Sequence, residues 1–138
     1  MNRIIAKVRG LLSTSDPTLS SRLIVAALVG VFGALITSAQ YSGKAQFHSD
    51  FGMLWFGARA LFHGLSPYPL IGPGKEFDYM WPLIYPLPAV VSVMPLAVFT
   101  ERVAATLFVF VSSALLSFGL TRDGWYRMPL FISEAFLS

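Results

Sequence analysis

The sequence predicts an all-α fold. It reads as a multi-pass transmembrane helical bundle of three spans plus the start of a fourth, with an amphipathic interfacial helix in the first external loop. Three observations point there. The 138-residue chain is 55% hydrophobic and only 12% charged, whereas a soluble domain carries about 25% charged residues. The apolar residues gather in runs that approach membrane length with almost no charge inside them. Glycine, proline and charged residues fall mainly between those runs. Composition also excludes some functions. The net charge of +3 does not form a nucleic-acid patch, because the cations flank apolar runs. There they suit anionic lipid headgroups. With no cysteine, disulfides and thiolate metal sites are excluded.

Residues 1–22 form a basic N-terminal segment, with Arg3, Lys7, Arg9 and Arg22 against the single acid Asp16. Ile4, Ile5, Val8, Leu11 and Leu12 give it a small apolar face. It reads either as an amphipathic segment on the membrane surface or as a disordered basic tail. The membrane domain, 23–138, opens with a span over about 23–41. Ala26, Gly30, Ala34 and Ser38 recur every four residues, a small ridge that lets another helix approach closely. Thr37-Ser38-Ala39 resembles a signal-peptide cleavage site, but the apolar core exceeds the usual signal length, which favours a retained anchor.

The external loop, 42–82, holds the stretch DFGMLWFGARALFHG, Asp50 to Gly64. Phe51, Leu54, Trp55, Ala58, Leu61 and Phe62 recur at helical spacing as one apolar stripe. Met53 and Phe56 fall outside it, and Arg59 and His63 sit together off it. Ser49 or Asp50 can cap the helix, and Gly64 followed by Pro67 can stop it. A Gly/Pro-rich loop dense in aromatics follows, including Tyr68, Phe77, Tyr79 and Trp81. These rings suit an interfacial belt, and some suit stacking on a sugar.

A second span is expected over about 83–99, broken by Pro86, Pro88 and Pro95, kinks that a membrane bundle tolerates. Thr100-Glu101-Arg102 reads as a tight polar turn before a third span, 103–120. An incomplete span starts at 128. The basic N-terminus argues for a cytoplasmic start in the cell membrane. The 42–82 loop is then extracytoplasmic, and Glu101-Arg102 is back at the cytoplasmic side.

The ordered elements Ser49-Asp50-Phe51, Trp55, Ala58-Arg59-Ala60, Gly64 and Pro67-Tyr68 continue with Phe77-Asp78-Tyr79, Tyr85-Pro86-Leu87-Pro88 and Met94-Pro95-Leu96. In order and spacing this resembles the N-terminal part of the GT-C-type glycosyltransferases. The likeness is to glycosyltransferase family 87, the polyprenol-phosphate-mannose-dependent mannosyltransferases. It covers roughly Leu23 to Leu120. Leu87 interrupts the family's Tyr-Pro-Pro element, and family members are several times longer, so the chain reads as a fragment that needs further spans for activity. The resemblance implies inverting transfer of a hexose, mannose in that family, from a polyprenyl-phosphate donor to an extracytoplasmic glycan or lipid-linked acceptor, with no cofactor.

The resemblance makes Asp50 the general base that takes a proton from the acceptor hydroxyl. A helix N-terminus favours its ionised form. The competing reading is a plain capping carboxylate. Arg59, His63, His48 and Lys75 are candidate partners for the donor phosphate. Arg59 and His63 equally suit a snorkelling face against headgroups. Tyr68 falls within the matched Pro67-Tyr68 element and is a candidate substrate contact. Glu76-Phe77-Asp78, and His48 with Asp50, lack a third ligand nearby in sequence, so no metal is expected. The alternative function is a non-enzymatic membrane subunit, supported by the small ridge and the short chain. A transporter is a weaker reading, since no ion pair lies within a span.

Overall fold

A computed structural model describes residues 18–42 and 49–125. The stretch before Thr18, His48 and the run from 128 lie outside the described residues. Helix α1 is Leu19–Ser42, α2 is Asp50–Phe62, α3 is Leu87–Val93 and α4 is Glu101–Leu120, with short 3-10 turns at Met94–Leu96 and Thr121–Asp123. Among the described residues there is no strand, only an isolated bridge between Ile71 and Phe77.

Two helices are long and apolar enough to cross a membrane, Leu19–Tyr41 and Glu101–Leu120, each with a window of mean hydropathy 2.1. At 1.5 Å per residue they run about 35 and 30 Å, against a hydrocarbon core of about 30 Å. Thr18 starts α1 by accepting the Ser21 N–H on its hydroxyl at 3.2 Å. Both helices expose apolar side chains, among them Leu28 at 63%, Leu35 at 65% and Leu115 at 66%. A soluble core helix would bury them.

The expected span over 83–99 does not form. Its residues make α3 and the Met94–Leu96 turn, an apolar helical stretch of ten residues from Leu87 to Leu96. That is about 15 Å, half a bilayer core. The prolines are the cause. Pro86 is the N-cap of α3, Pro88 lies in its first turn, and Pro95 sits in the 3-10 turn that ends it. The tight turn at Glu101 is displaced as a consequence. The Tyr41 hydroxyl donates to Glu101 Oε1 at 3.2 Å, and Arg102 Nη2 donates to Ser38 Oγ at 2.9 Å. The end of α1 and the start of α4 therefore meet, where a full span between them would hold them apart.

The chain divides into two compact units, Met1–Gly33 with Phe110–Ser138, and Ala34–Val109. In the first, Ala26 and Gly30 are buried. A Cβ on Gly30 would stand 2.8 Å from the Phe110 carbonyl oxygen and 3.1 Å from Ala114 Cβ, so at Gly30 the small ridge is used by the chain's own second long helix. Arg22 Nη2 donates to the Phe118 carbonyl at 2.7 Å and its guanidinium lies 4.1 Å from the Phe118 ring centre, a cation at a helix C-terminal end.

In the second unit α2 is the centre. Gly52, Met53, Trp55, Gly57, Ala58 and Ala60 are buried in it. Val90 and Val93 of α3 and Ile71, Tyr79 and Leu83 of the loop join the same core. Met53 and Phe56, which break the predicted stripe, are packed: Met53 is in the core, and Phe56 stacks on Phe77 with ring centres 4.4 Å apart. The helix is wrapped on more than one side, because the loop after it folds back over the face that a surface-lying helix would leave to water.

Candidate functional site

The N-terminal turn of α2 gathers the polar groups of this unit. Ser49 is the N-cap, with extended backbone angles, and its hydroxyl accepts the Gly52 N–H at 3.1 Å. That leaves Asp50 as the first helical residue, with an exposed side chain that is not used as the cap. The Ser49 hydroxyl is also 2.9 Å from the Tyr41 hydroxyl. Tyr41 spends its proton on Glu101, so Ser49 is the donor in that pair. The bonds run in one direction, from the Gly52 amide through Ser49 and Tyr41 to the Glu101 carboxylate.

Gly52 permits this closeness. A Cβ there would collide with both the Tyr79 hydroxyl and Glu101 Oε1. The two groups thus converge on one point of the helix surface. Tyr79 is 8% exposed. Burial first, then the negative charge of Glu101, pushes its phenol well above the usual tyrosine range, so it stays protonated. Asp50 adds to that negative field.

Beside this junction lies a cavity of about 580 Å³, lined by Ser49, Asp50, Met53, Pro73, Asp78, Tyr79, Met80 and Trp81. One wall is the first turn of α2. The other is the loop, which is folded by its own backbone bonds: Phe77 N donates to Leu70 O at 2.9 Å, and Gly72 N to Phe77 O at 3.1 Å. Gly74 has φ +66°, a turn that glycine adopts at no steric cost, and its N–H donates to Asp78 Oδ1 at 2.9 Å. That bond holds the Asp78 carboxylate in the cavity wall. Trp81, 65% exposed, is the aromatic lining residue most open to solvent.

The other residues singled out from the sequence stand elsewhere. Arg59 is exposed, with its guanidinium 5.1 Å from the Trp55 ring centre. It follows Asp50 by nine residues on one helix, about 13 Å along the axis. His63 is exposed at the C-cap, edge-on to Phe62. Tyr68 donates to the Tyr85 carbonyl at 3.2 Å, and Lys75 Nζ donates to the Tyr68 carbonyl at 3.0 Å, so both brace the loop. None of the four lines the cavity.

Sequence reading missed Glu101, Gly52 and the cavity-lining role of Tyr79, Asp78 and Trp81. Two signals were available. Glu101 is the acid that opens an otherwise apolar helix, and Gly52 is a poor helix former in a first turn, which marks a close approach. Neither signal names the partner. Comparison of the chain with family models, with curated proteins and with solved structures gives no match.

Proposed function

We propose that this chain is an integral membrane protein acting in glycosyl transfer, moving a hexose from a polyprenyl-phosphate donor to an extracytoplasmic glycan or lipid-linked acceptor, with Asp50 as general base. One observation carries the reading: Asp50 stands at a helix N-terminus, released from capping by Ser49, in the wall of a cavity with aromatic and polar sides. A general base has to be ionised and within reach of the proton it takes. The cavity beside the first turn of α2 supplies the reach. Asp78 also lines this cavity, but it sits in the loop and accepts the Gly74 N–H, whereas Asp50 stands at the helix N-terminus.

In this reading α1 and α4 are the two complete spans, and the chain that links them is on one side of the membrane. The cations then sort as Arg3, Lys7, Arg9, Arg22, Arg122 and Arg127 against Lys44, Arg59, Lys75 and Arg102. The excess marks the side of the N-terminus as cytoplasmic, and the Asp50 cavity is outside. Exposed Met80 and Trp81 in the cavity lining suit a headgroup layer, where lipid-linked substrates present their sugars. A cation that stabilises a leaving phosphate has to stand close to it. Arg59 and His63 are too far along α2 for that, so they serve as headgroup contacts. The subunit alternative rests on the small ridge, of which Gly30 packs against α4.

The test is hexose transfer from a polyprenyl-phosphate donor in membranes that express the protein from its native locus. Asp50→Asn is expected to lower transfer by about 10²–10⁴-fold at unchanged protein level. Arg59→Gln, the control, should change it less than about threefold, because its charge lies about 13 Å down the helix axis. Near-normal transfer with Asp50→Asn overturns the proposal.

A further inference from the structure

We infer that the cavity beside Asp50 takes the neutral acceptor sugar and that the phosphate end of the donor stays out of it. The inference rests on the transfer reading above and assigns two further binding residues, Asp78 and Trp81.

Two carboxylates line the cavity, Asp50 in the first turn of α2 and Asp78 in the loop. Glu101 Oε1 converges with the hydroxyl of the lining Tyr79 on Gly52. A phosphate entering here would meet two carboxylates of like charge. A pyranose carries no such charge. Its hydroxyls are donors, and each carboxylate offers about four acceptor positions, of which Asp78 uses one on Gly74. Its C–H face needs an apolar platform, and Trp81 and Met53 provide one. The cavity volume of about 580 Å³ lies within the usual range for small-molecule sites and has room for a sugar of one or two rings. The remaining ligand class that fits carboxylates and aromatics is an alkylammonium ion. Such ions are held in aromatic cages, desolvated on several sides. Trp81, 65% exposed, is a platform and not a cage wall. A bound acceptor would also present a hydroxyl to Asp50, which is what the base needs, whereas a donor phosphate in the same place would leave Asp50 without a proton to take.

Saturation-transfer NMR on the full chain in lipid nanodiscs reads binding without turnover. The probes are mannobiose, mannose 1-phosphate and tetramethylammonium. Mannobiose is expected to give a saturable signal, and mannose 1-phosphate one at least about fivefold weaker at equal concentration, in line with one unfavourable charge contact. Asp78→Asn and Trp81→Ala should each weaken mannobiose by about fivefold or more. Trp81 is exposed, so its variant reports the pocket even if loss of the Asp78 bond loosens the loop. Absence of a mannobiose signal, a stronger signal from mannose 1-phosphate or tetramethylammonium, or indifference to Trp81→Ala overturns the assignment. Binding and transfer fail separately. Mannobiose binding without Asp50-dependent transfer in native membranes overturns the enzymatic reading alone. Asp50-dependent transfer without mannobiose in this cavity overturns the acceptor assignment alone.

Discussion

The two ends of helix α2 carry similar raw material and are built very differently. Each has a charged side chain, a glycine and a polar cap: Asp50, Gly52 and Ser49 at one end, Arg59, Gly64 and His63 at the other. The N-terminal end is enclosed. Tyr41, Tyr79 and Glu101 converge on it from three other parts of the chain, and a cavity opens beside it. The C-terminal end is open. Phe62, His63 and Gly64 are exposed, and a Cβ on Gly64 would meet nothing within 4 Å. The difference teaches that a charge on a helix becomes a site through what distant segments bring to it. Helical spacing alone treats the two ends alike.

The largest effect on stability that separates the ends is expected from their glycines. Gly52→Ala places a methyl group where the Tyr79 hydroxyl and Glu101 Oε1 already stand. Overpacking of this kind costs about 1–3 kcal/mol, and here it also forces apart the groups around Asp50. Gly64→Ala meets no atom, yet Gly64 has φ +74°, so it costs about 1 kcal/mol of backbone strain and should leave the cavity intact. Denaturation in detergent measures both costs, and mannobiose binding separates them. Equal loss of binding in the two variants would remove the contrast.

Helix α2 itself was legible in the sequence, and the reason is that its signals are local. Capping by Ser49 or Asp50, the stop at Gly64 and the helix between them depend on residues within a turn of each other. Leu19–Tyr41 and Glu101–Leu120 were legible for the same reason, since an uncharged run of span length needs no partner to be recognised. What failed was non-local. Pro86, Pro88 and Pro95 were read as tolerable kinks in a span, and the structure uses them to cut the run into a short helix and a turn. With that span gone, Glu101 moves from a remote turn to the side of Tyr41, sixty residues away in sequence. No periodicity reports such a pairing. Met53 and Phe56 show the same limit on a smaller scale: they broke the stripe because a second layer, the loop through Phe77 and Tyr79, covers them.

A smaller effect is expected from the cap. Ser49→Ala removes the acceptor of the Gly52 N–H and the donor to Tyr41. Loss of an N-cap costs about 1 kcal/mol. The substitution also frees Asp50 to take over the capping role, as an acid in the first turn can do. The expected result is a modest fall in the denaturation midpoint together with a loss of transfer larger than that fall explains. A transfer rate that tracks folded protein alone would show that the cap and the base position are independent.

The smallest effect sharpens the comparison from the electrostatic side. Tyr79 is held protonated by burial, with Glu101 and Asp50 reinforcing it, so its native pKa lies above the ordinary value of 10.0. In the unfolded chain the phenol ionises near that ordinary value, while in the fold it does not. The stabilising contribution is therefore complete below about pH 10 and is lost progressively as pH rises through the higher native pKa. Tyr79→Phe removes that dependence while keeping the ring. Wild type and variant should differ by a constant offset in denaturation midpoint from pH 7 to 9.5 and then converge above pH 10, because every other titrating group is common to both. Parallel profiles up to pH 11 would mean that the enclosed end does not hold its phenol neutral. The phenol would then be better hydrated than its burial between α2 and the loop requires.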